Sequence, residues 1–229
     1  MNLSIIIPVH NAEKFLEKCI QSALNEMPED EIILVENGST DHSYEICRSY
    51  AEKYNTVRLL QLENVGVSVA RNEGIKAASG KWLTFLDADD QIQAGGISQL
   101  STIADETDAD VLIAGYRCEL VDSPQSMIVS RIDADLLAKG ILQFSKYRKR
   151  INKSADIDSY NNWACWGKIY KRTFLLENQI IFPEGIRLSE DAAFCFQVYC
   201  AAKRAFVTKQ IVYYYNKHSG SCSQGYIPW

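Results

Sequence analysis

The stretch KWLTFLDADD ends an apolar run, Trp82 to Leu86, in three carboxylates within four positions: Asp87, Asp89 and Asp90. Like charges this close repel one another, and a cation relieves the repulsion. Hard divalent ions such as Mg2+ or Mn2+ take oxygen ligands, often only one or two carboxylates, with diphosphate oxygens completing the shell. A D-x-D after a strand is therefore a candidate metal site, although the same residues also serve as helix caps and solvated turns. A second acidic pair, Glu190–Asp191 in LSEDAAF, has two readings. It either opens a helix, where negative charge is favoured, or supplies a proton acceptor.

Other segments carry chemistry of the same two-sided kind. PVHN places His10 where its ring can lie against a nucleobase, or where the segment is only a strand-to-helix turn. In VENGSTD, Gly38 permits a turn and Glu36 can accept a base N–H or a ribose hydroxyl. NVGVSVARNEG contains Arg71 but lacks the G-K-[ST] ending of a phosphate loop. Arg71 is either a surface ion pair or a brace for the D-x-D carboxylates or a nucleotide. Trp163 and Trp166 form either an apolar platform for a sugar or part of the core.

The elements that must position these residues follow from pattern. LSIIIPV is a continuous apolar run, as expected of a strand buried on both faces, with EIILVE, VRLLQL and KWLTFL as further strands. Between the first two, Phe15, Leu16, Cys19, Ile20, Ala23 and Leu24 recur at helical spacing, with Asn11 as candidate cap. Tyr44, Cys47, Tyr50, Ala51 and Tyr54 form a second helical face, capped by Asp41 or Ser43, and a short helix in the Arg71 segment is stopped by Gly80. Strands and helices alternating in this order imply a mostly parallel sheet, whose strand C-terminal ends carry the ligand site. The ends here are Pro8-Val9-His10-Asn11, Glu36-Asn37-Gly38-Ser39 and Asp87-Ala88-Asp89-Asp90. Further on, Ile97–Ile103 reads as helix and ADVLIAGY as strand. Residues 146–162 read as a polar loop, the region after the tryptophans as helix, LSEDAAFCFQVYCAA as a helix capped by Ser189, and AFVTKQIVYYYN as a strand.

Composition bounds the rest. With 229 residues, 47% hydrophobic and 23% charged, the chain matches an ordinary globular α/β domain. A net charge of −5 argues against nucleic acid as a partner. The basic cluster Lys146–Arg150 is a solvated helix end or a contact for an anionic ligand or membrane surface. Seven cysteines without a C-x-x-C pair read as reduced core residues of a cytosolic protein, Cys195 and Cys200 among them. The N-terminal apolar run, Leu3–Val9, is too short for a signal peptide. No stretch approaches the ~18 apolar residues of a membrane span, so membrane association is expected to be peripheral.

Taken in order, SIIIPVHNAEKFLEKCIQSAL, VENGSTDHS, NVGVSVARNEGIKAASGKWLTFLDADD, SEDAAF and YYYNKHSGSCSQ resemble the family 2 inverting glycosyltransferases of the GT-A fold. The nearest resemblance is to bacterial enzymes of surface-polysaccharide synthesis. The resemblance covers almost the whole chain and implies one GT-A domain over residues 1–229. Residues 1–90 would form the nucleotide-sugar-binding half and 91–229 the acceptor-binding and catalytic-base half, with a central sheet flanked by helices and a smaller acceptor-side region. It implies a nucleotide-diphosphate sugar donor, usually uridine-linked, and a saccharide or lipid-linked acceptor. It further implies Mn2+ or Mg2+ on Asp89, with His218 as an added metal or diphosphate contact, and Asp87 on the ribose or donor sugar. Pro8, Val9, His10, Glu36 and Arg71 would hold the nucleoside, and Asp191 would act as general base. Trp163, Trp166 and Glu190 are candidates on the acceptor side. The second-strand motif, commonly V-D-D-G-S, is here Val35-Glu36-Asn37-Gly38-Ser39, which bears on donor-base preference. The expected place is the cytoplasm, with peripheral contact at the inner face of the plasma membrane. Two other readings stay open at this point: a silent nucleotide-sugar-binding module, and a sugar-phosphate nucleotidyltransferase. The latter would carry a Gly-rich loop where this chain has PVHNAEKF.

Overall fold

The computed structural model describes residues 2–26, 29–120, 127–130, 163–186 and 189–217. The expected alternation is present as β1 (Leu3–Val9), α1 (Leu16–Glu26), β2 (Glu31–Asn37), α2 (Ser43–Lys53), β3 (Val57–Leu62), α3 (Val67–Ala77) and β4 (Trp82–Phe85). These strands pair in parallel, in the order β3-β2-β1-β4. The chain continues through β5 (Gln91–Ile92), α4 (Gly96–Thr107), β6 (Val111–Leu120), β7 (Met127–Ser130), β8 (Lys168–Lys171), α5 (Arg172–Glu177), α6 (Glu190–Ala201) and β9 (Ala205–Lys217). They extend the same sheet as β4-β8-β6-β9-β5, with β7 on β6. Here β8 runs antiparallel to β4 and β6, while β9 runs parallel to β6.

The continuous apolar runs of β1 and β2 are explained by the pleat, which sends successive side chains to opposite faces. Ile5, Ile7, Ile32 and Leu34 join one core with Cys19 and Ile20 of α1 and Leu100 of α4. Ile6, Ile33 and Val35 join the other, with Ala70 and Ile75 of α3, Phe174 of α5 and Phe194 of α6. Each fully buried aliphatic side chain contributes about 1.5–3 kcal/mol. Both faces must be covered, so neither strand can afford an alternating polar pattern. α3 lies close on β1 because position 74 is glycine: a Cβ there would stand 2.4 Å from Ile6 Cγ2.

Several local expectations are corrected. Asn11 does not cap α1; its backbone is left-handed and its Oδ1 accepts the Thr40 N–H at 2.8 Å, joining the first two strand-end turns. Ser189 precedes α6 but makes no side-chain cap bond. α3 ends at Ala77, before Gly80. Gly80 serves instead to bring its turn against β1, since a Cβ there would lie 2.7 Å from the Leu3 and Ser4 backbone. Cys200 is exposed, whereas Cys19, Cys47, Cys165 and Cys195 are buried thiols. The 146–162 loop lies outside the described residues.

At the sheet edge away from the strand C-terminal ends, Glu31 ties three segments together. Its carboxylate accepts from Ser4 Oγ at 2.6 Å, Ser79 N at 2.8 Å and Arg58 Nη1 at 2.6 Å, and its side chain is 2% exposed. Burial opposes its ionisation, but these donors outweigh it and hold the carboxyl below the ordinary value of 4.5. A carboxylate with a depressed folded-state pKa contributes stability above the unfolded value and loses it as pH falls through the folded one. Glu31→Gln should therefore cost roughly 1.5–3 kcal/mol at neutral pH, the scale of a hydrogen bond to a charged group. It should also flatten the loss of stability on acidification below pH 4.5. Urea unfolding across pH checks both; parallel acid limbs in the two proteins would contradict the assignment.

Candidate functional site

The end of β4 meets the N-terminus of α6 on one side and β9 on the other. The link to α6 is Arg71, on α3, whose side chain is only 5% exposed. Its Nη2 donates to Asp87 Oδ1 at 2.9 Å, and its Nη1 to Asp191 Oδ1 at 2.6 Å and Glu190 Oε1 at 3.1 Å. The Phe182 ring lies 5.2 Å from the guanidinium carbon. Asn72, next along α3, fixes that segment by exchanging two hydrogen bonds with the Phe182 backbone, at 2.8 and 2.9 Å. Burial works against the guanidinium charge. Asp191 first, then its other neighbours, overrides it, so Arg71 is held well above its ordinary range and stays charged. The surface-ion-pair reading of Arg71 thus gives way to a buried brace.

The three carboxylates of DADD have separate surroundings. Asp87 is half-buried and paired with Arg71. Burial pushes its pKa up, Arg71 opposes and Asp191 adds to the rise, leaving it above the usual value. Asp90 is 1% exposed. Its Oδ2 accepts from the Tyr213 hydroxyl at 2.6 Å and its Oδ1 from the Asn216 N–H at 2.7 Å. Burial, then Asp89 and Asp87, push its pKa well up. Tyr213 also accepts the Asp87 N–H at 3.2 Å, and Asn216 Nδ2 donates to the Asp89 carbonyl at 2.8 Å. β9 thus holds the turn that presents the half-buried Asp89.

The remaining sequence candidates fall as follows. His10 is exposed, with Nδ1 at 3.0 Å from the Asn37 carbonyl, so that nitrogen carries the proton. Pro8 is half-buried and Val9 buried. Glu36 is 2% exposed and its Oε1 accepts the Ser39 N–H at 2.6 Å. Gly38 is left-handed, and a Cβ there would meet Asn64 N at 2.7 Å, so the turn expected at this glycine is confirmed. Trp163 is half-buried, 6.0 Å from the Tyr199 ring. Trp166 belongs to the core: it is 3% exposed and stacks on Tyr213 at 4.5 Å and Tyr215 at 5.6 Å. In this structure its face meets tyrosines, as the core alternative has it. His218 lies outside the described residues.

Sequence reasoning missed Cys165, whose N–H donates to Asp191 Oδ2 at 3.2 Å, and gave no role to Tyr213 or Asn216. No local signal marks the first. The other two lie in YYYNK, where alternation shows a strand but not its neighbours. The donor set at the β4 end is all oxygen, and no cluster of three or more His, Cys, Asp or Glu fit to hold a metal occurs among the described residues. The oxygen donors alone are of the kind a hard divalent cation takes.

Removing one partner of a buried ion pair costs about 3–5 kcal/mol. Asp87, Glu190 and Asp191 keep 16–27% of their side-chain surface exposed, so Arg71→Met should fall near the lower end, about 3 kcal/mol. Arg71→Lys should recover little, because one ammonium cannot reproduce a fork spanning both sides. Denaturant unfolding measures both, and near-parental stability of Arg71→Met would contradict the brace.

Comparison with known proteins agrees with this architecture. Residues 4–174 match the family model described as glycosyl transferase family 2. The chain is 31% identical to EpsJ of Bacillus subtilis over 99% of its own length and 64% of that protein's. It is 35% identical to YibD of Escherichia coli over 97% of its length and 63% of that protein's; both are described as uncharacterized glycosyltransferases. It therefore spans less than two thirds of either relative. The crystal structure of S. aureus TarS 1–349 in complex with UDP-GlcNAc superposes with a TM-score of 0.76 at 26% identity, covering 99% of this chain and 62% of that one. TarS is named a poly(ribitol-phosphate) beta-N-acetylglucosaminyltransferase. The fold is of the GT-A type, and the chain belongs to glycosyltransferase family 2.

Proposed function

We propose that this chain is the catalytic domain of an inverting glycosyltransferase. It would move a sugar from a UDP-sugar to a saccharide or lipid-linked acceptor in surface-polysaccharide synthesis, at the cytoplasmic face of the membrane. The observation that carries the reading is the link made by Arg71 between the β4 carboxylate Asp87 and the α6 pair Glu190–Asp191. On this reading one cation would join a donor-side group to the base. The UDP-GlcNAc complex of TarS supports the donor class. The continuous sheet supports one domain over residues 1–229, with a nucleotide half to residue 90. No described helix is long and apolar enough to cross a membrane, which fits peripheral contact.

In this proposal the nucleoside lies against Pro8, Val9 and His10, and Glu36 accepts a base N–H. A carboxylate offers about four acceptor sites, so the Ser39 bond leaves it capacity. Asp87 faces the ribose or donor sugar beside Arg71. Asp89 would hold Mn2+ or Mg2+, with His218 as a further contact; the ion supplies Lewis-acid compensation for the charge of the departing diphosphate. Asp191 takes the proton of the acceptor hydroxyl as its oxygen bonds to the anomeric carbon. The bond to the diphosphate breaks on the opposite face, so the configuration inverts. Glu190 and Trp163 would border the acceptor.

Two outcomes test this. Asp191→Asn preserves shape but removes the proton acceptor, so UDP release in a screen of UDP-sugars with Mn2+ should fall about 10²–10⁴-fold. The loss should lie in kcat rather than donor KM; near-normal kcat with a lowered melting temperature would return Asp191 to a helix-start role. Asp89→Asn should weaken UDP binding in Mn2+ but not in a chelator, as read by calorimetry. Equal Mn2+-dependent affinity in the two proteins would remove Asp89 from the metal.

A further inference from the structure

Lys168 begins β8 and is fully buried. A lysine is seldom buried without a specific partner. Its Nζ donates to the Ala164 carbonyl at 2.6 Å. The Cys195 thiol lies on the same oxygen at 3.4 Å, and the Tyr170 hydroxyl donates to the next carbonyl, Cys165 O, at 2.8 Å. Ala164 C=O and Cys165 N–H are the two ends of one peptide group, which is planar and trans, so they point in opposite directions. Lys168 grips the oxygen end. The N–H end donates to Asp191 Oδ2 at 3.2 Å, while Arg71 holds the other oxygen of that carboxylate.

We infer that Lys168 is a positioning residue for Asp191: by fixing and polarising the Ala164–Cys165 peptide, it aims an N–H at Oδ2 and sets the angle at which the carboxylate faces the acceptor. The inference rests on Asp191 being the base. A peptide group can rotate about its flanking bonds. Without Lys168, Ala164 O keeps only the weak Cys195 thiol donor at 3.4 Å, so its peptide N–H is held less firmly in line with Oδ2, and Arg71 is left as the main constraint on the carboxylate through its Oδ1 contact. Lys168 touches neither substrate nor reacting atoms. Its effect should therefore appear in turnover and not in donor binding.

The test uses Lys168→Met, which keeps the length of the stem and removes the donor. The variant leaves the Ala164 carbonyl only the weak Cys195 thiol donor, which costs stability; if it does not fold, Lys168→Gln, too short to reach the same oxygen, carries the same measurements. Protein labelled with [15N]cysteine has seven labelled amides, and Cys165→Ser assigns the relevant one. The Cys165 amide proton should move upfield in Asp191→Asn and in the same sense in Lys168→Met. UDP release from the UDP-sugar that the screen identifies, with Mn2+, should show kcat lowered roughly 10–100-fold in Lys168→Met, the scale of a small misplacement of a reacting group. Donor KM should be unchanged, and Lys168→Met should cause no further loss in an Asp191→Asn background. A Cys165 amide that moves in Asp191→Asn but not in Lys168→Met overturns the inference, as does a loss of turnover that multiplies in the double variant. Amide shifts as expected with near-normal turnover in Asp191→Asn would instead overturn the base reading and leave the peptide geometry standing, so the two failures are distinct.

Discussion

Arg71 carries its charge in a place almost closed to water, and the positions of three chain segments follow from it. A guanidinium with a 5% exposed side chain must find its counter-charges within the protein. It finds Asp87 at the end of β4 on one side and Glu190 with Asp191 at the start of α6 on the other. These residues are separated by more than a hundred positions in sequence, and no backbone pairing joins them. The planar fork suits the task, since its two ends point along different directions in one rigid frame. The helix that carries it is in turn placed by close packing on β1 at Gly74 and by the Asn72 bonds to Phe182.

The crowding of Asp87, Asp89 and Asp90 is resolved by giving each a different environment rather than by a shared one. Asp87 has the guanidinium. Asp90 is sealed in the core, where Tyr213 and Asn216 donate to both of its oxygens. The same two residues reach the Asp87 amide and the Asp89 carbonyl, so a strand from the end of the described chain buttresses the turn after β4. Asp89 is left half-buried on the turn so fixed. A buried acid satisfied by two donors is thus a structural post. Trp166 stacks on Tyr213 and on Tyr215 of the same strand.

The sequence by itself determined the parallel half of the sheet. β1 and β2 are covered on both faces, so their runs had to be wholly apolar, and the helices between them had to show one apolar face. It also determined which residues cluster at the strand ends, because a parallel α/β sheet gathers those ends on one edge. The ordered motifs were enough to mark the family. What it left undecided were short or edge strands such as β5 and β8, too brief to show a period, and residues with two equally good local uses. Trp166 could face sugar or core, Ser189 could cap or not, and Cys200 shares its apolar context with buried Cys195.

Only the tertiary structure decided those cases, and the reason is the same in each. Burial and pairing are set by what arrives from elsewhere in the chain. Arg71 is a brace because α6 brings two carboxylates to it; Asp90 is a post because β9 brings a hydroxyl and an N–H. The Cys165 N–H reaches Asp191 because Lys168 and Tyr170, on a strand that the pattern did not reveal, hold the peptides around it. Local periodicity records which face of an element is buried. It does not record which partner stands opposite, and the chemistry of this site is made of such partners.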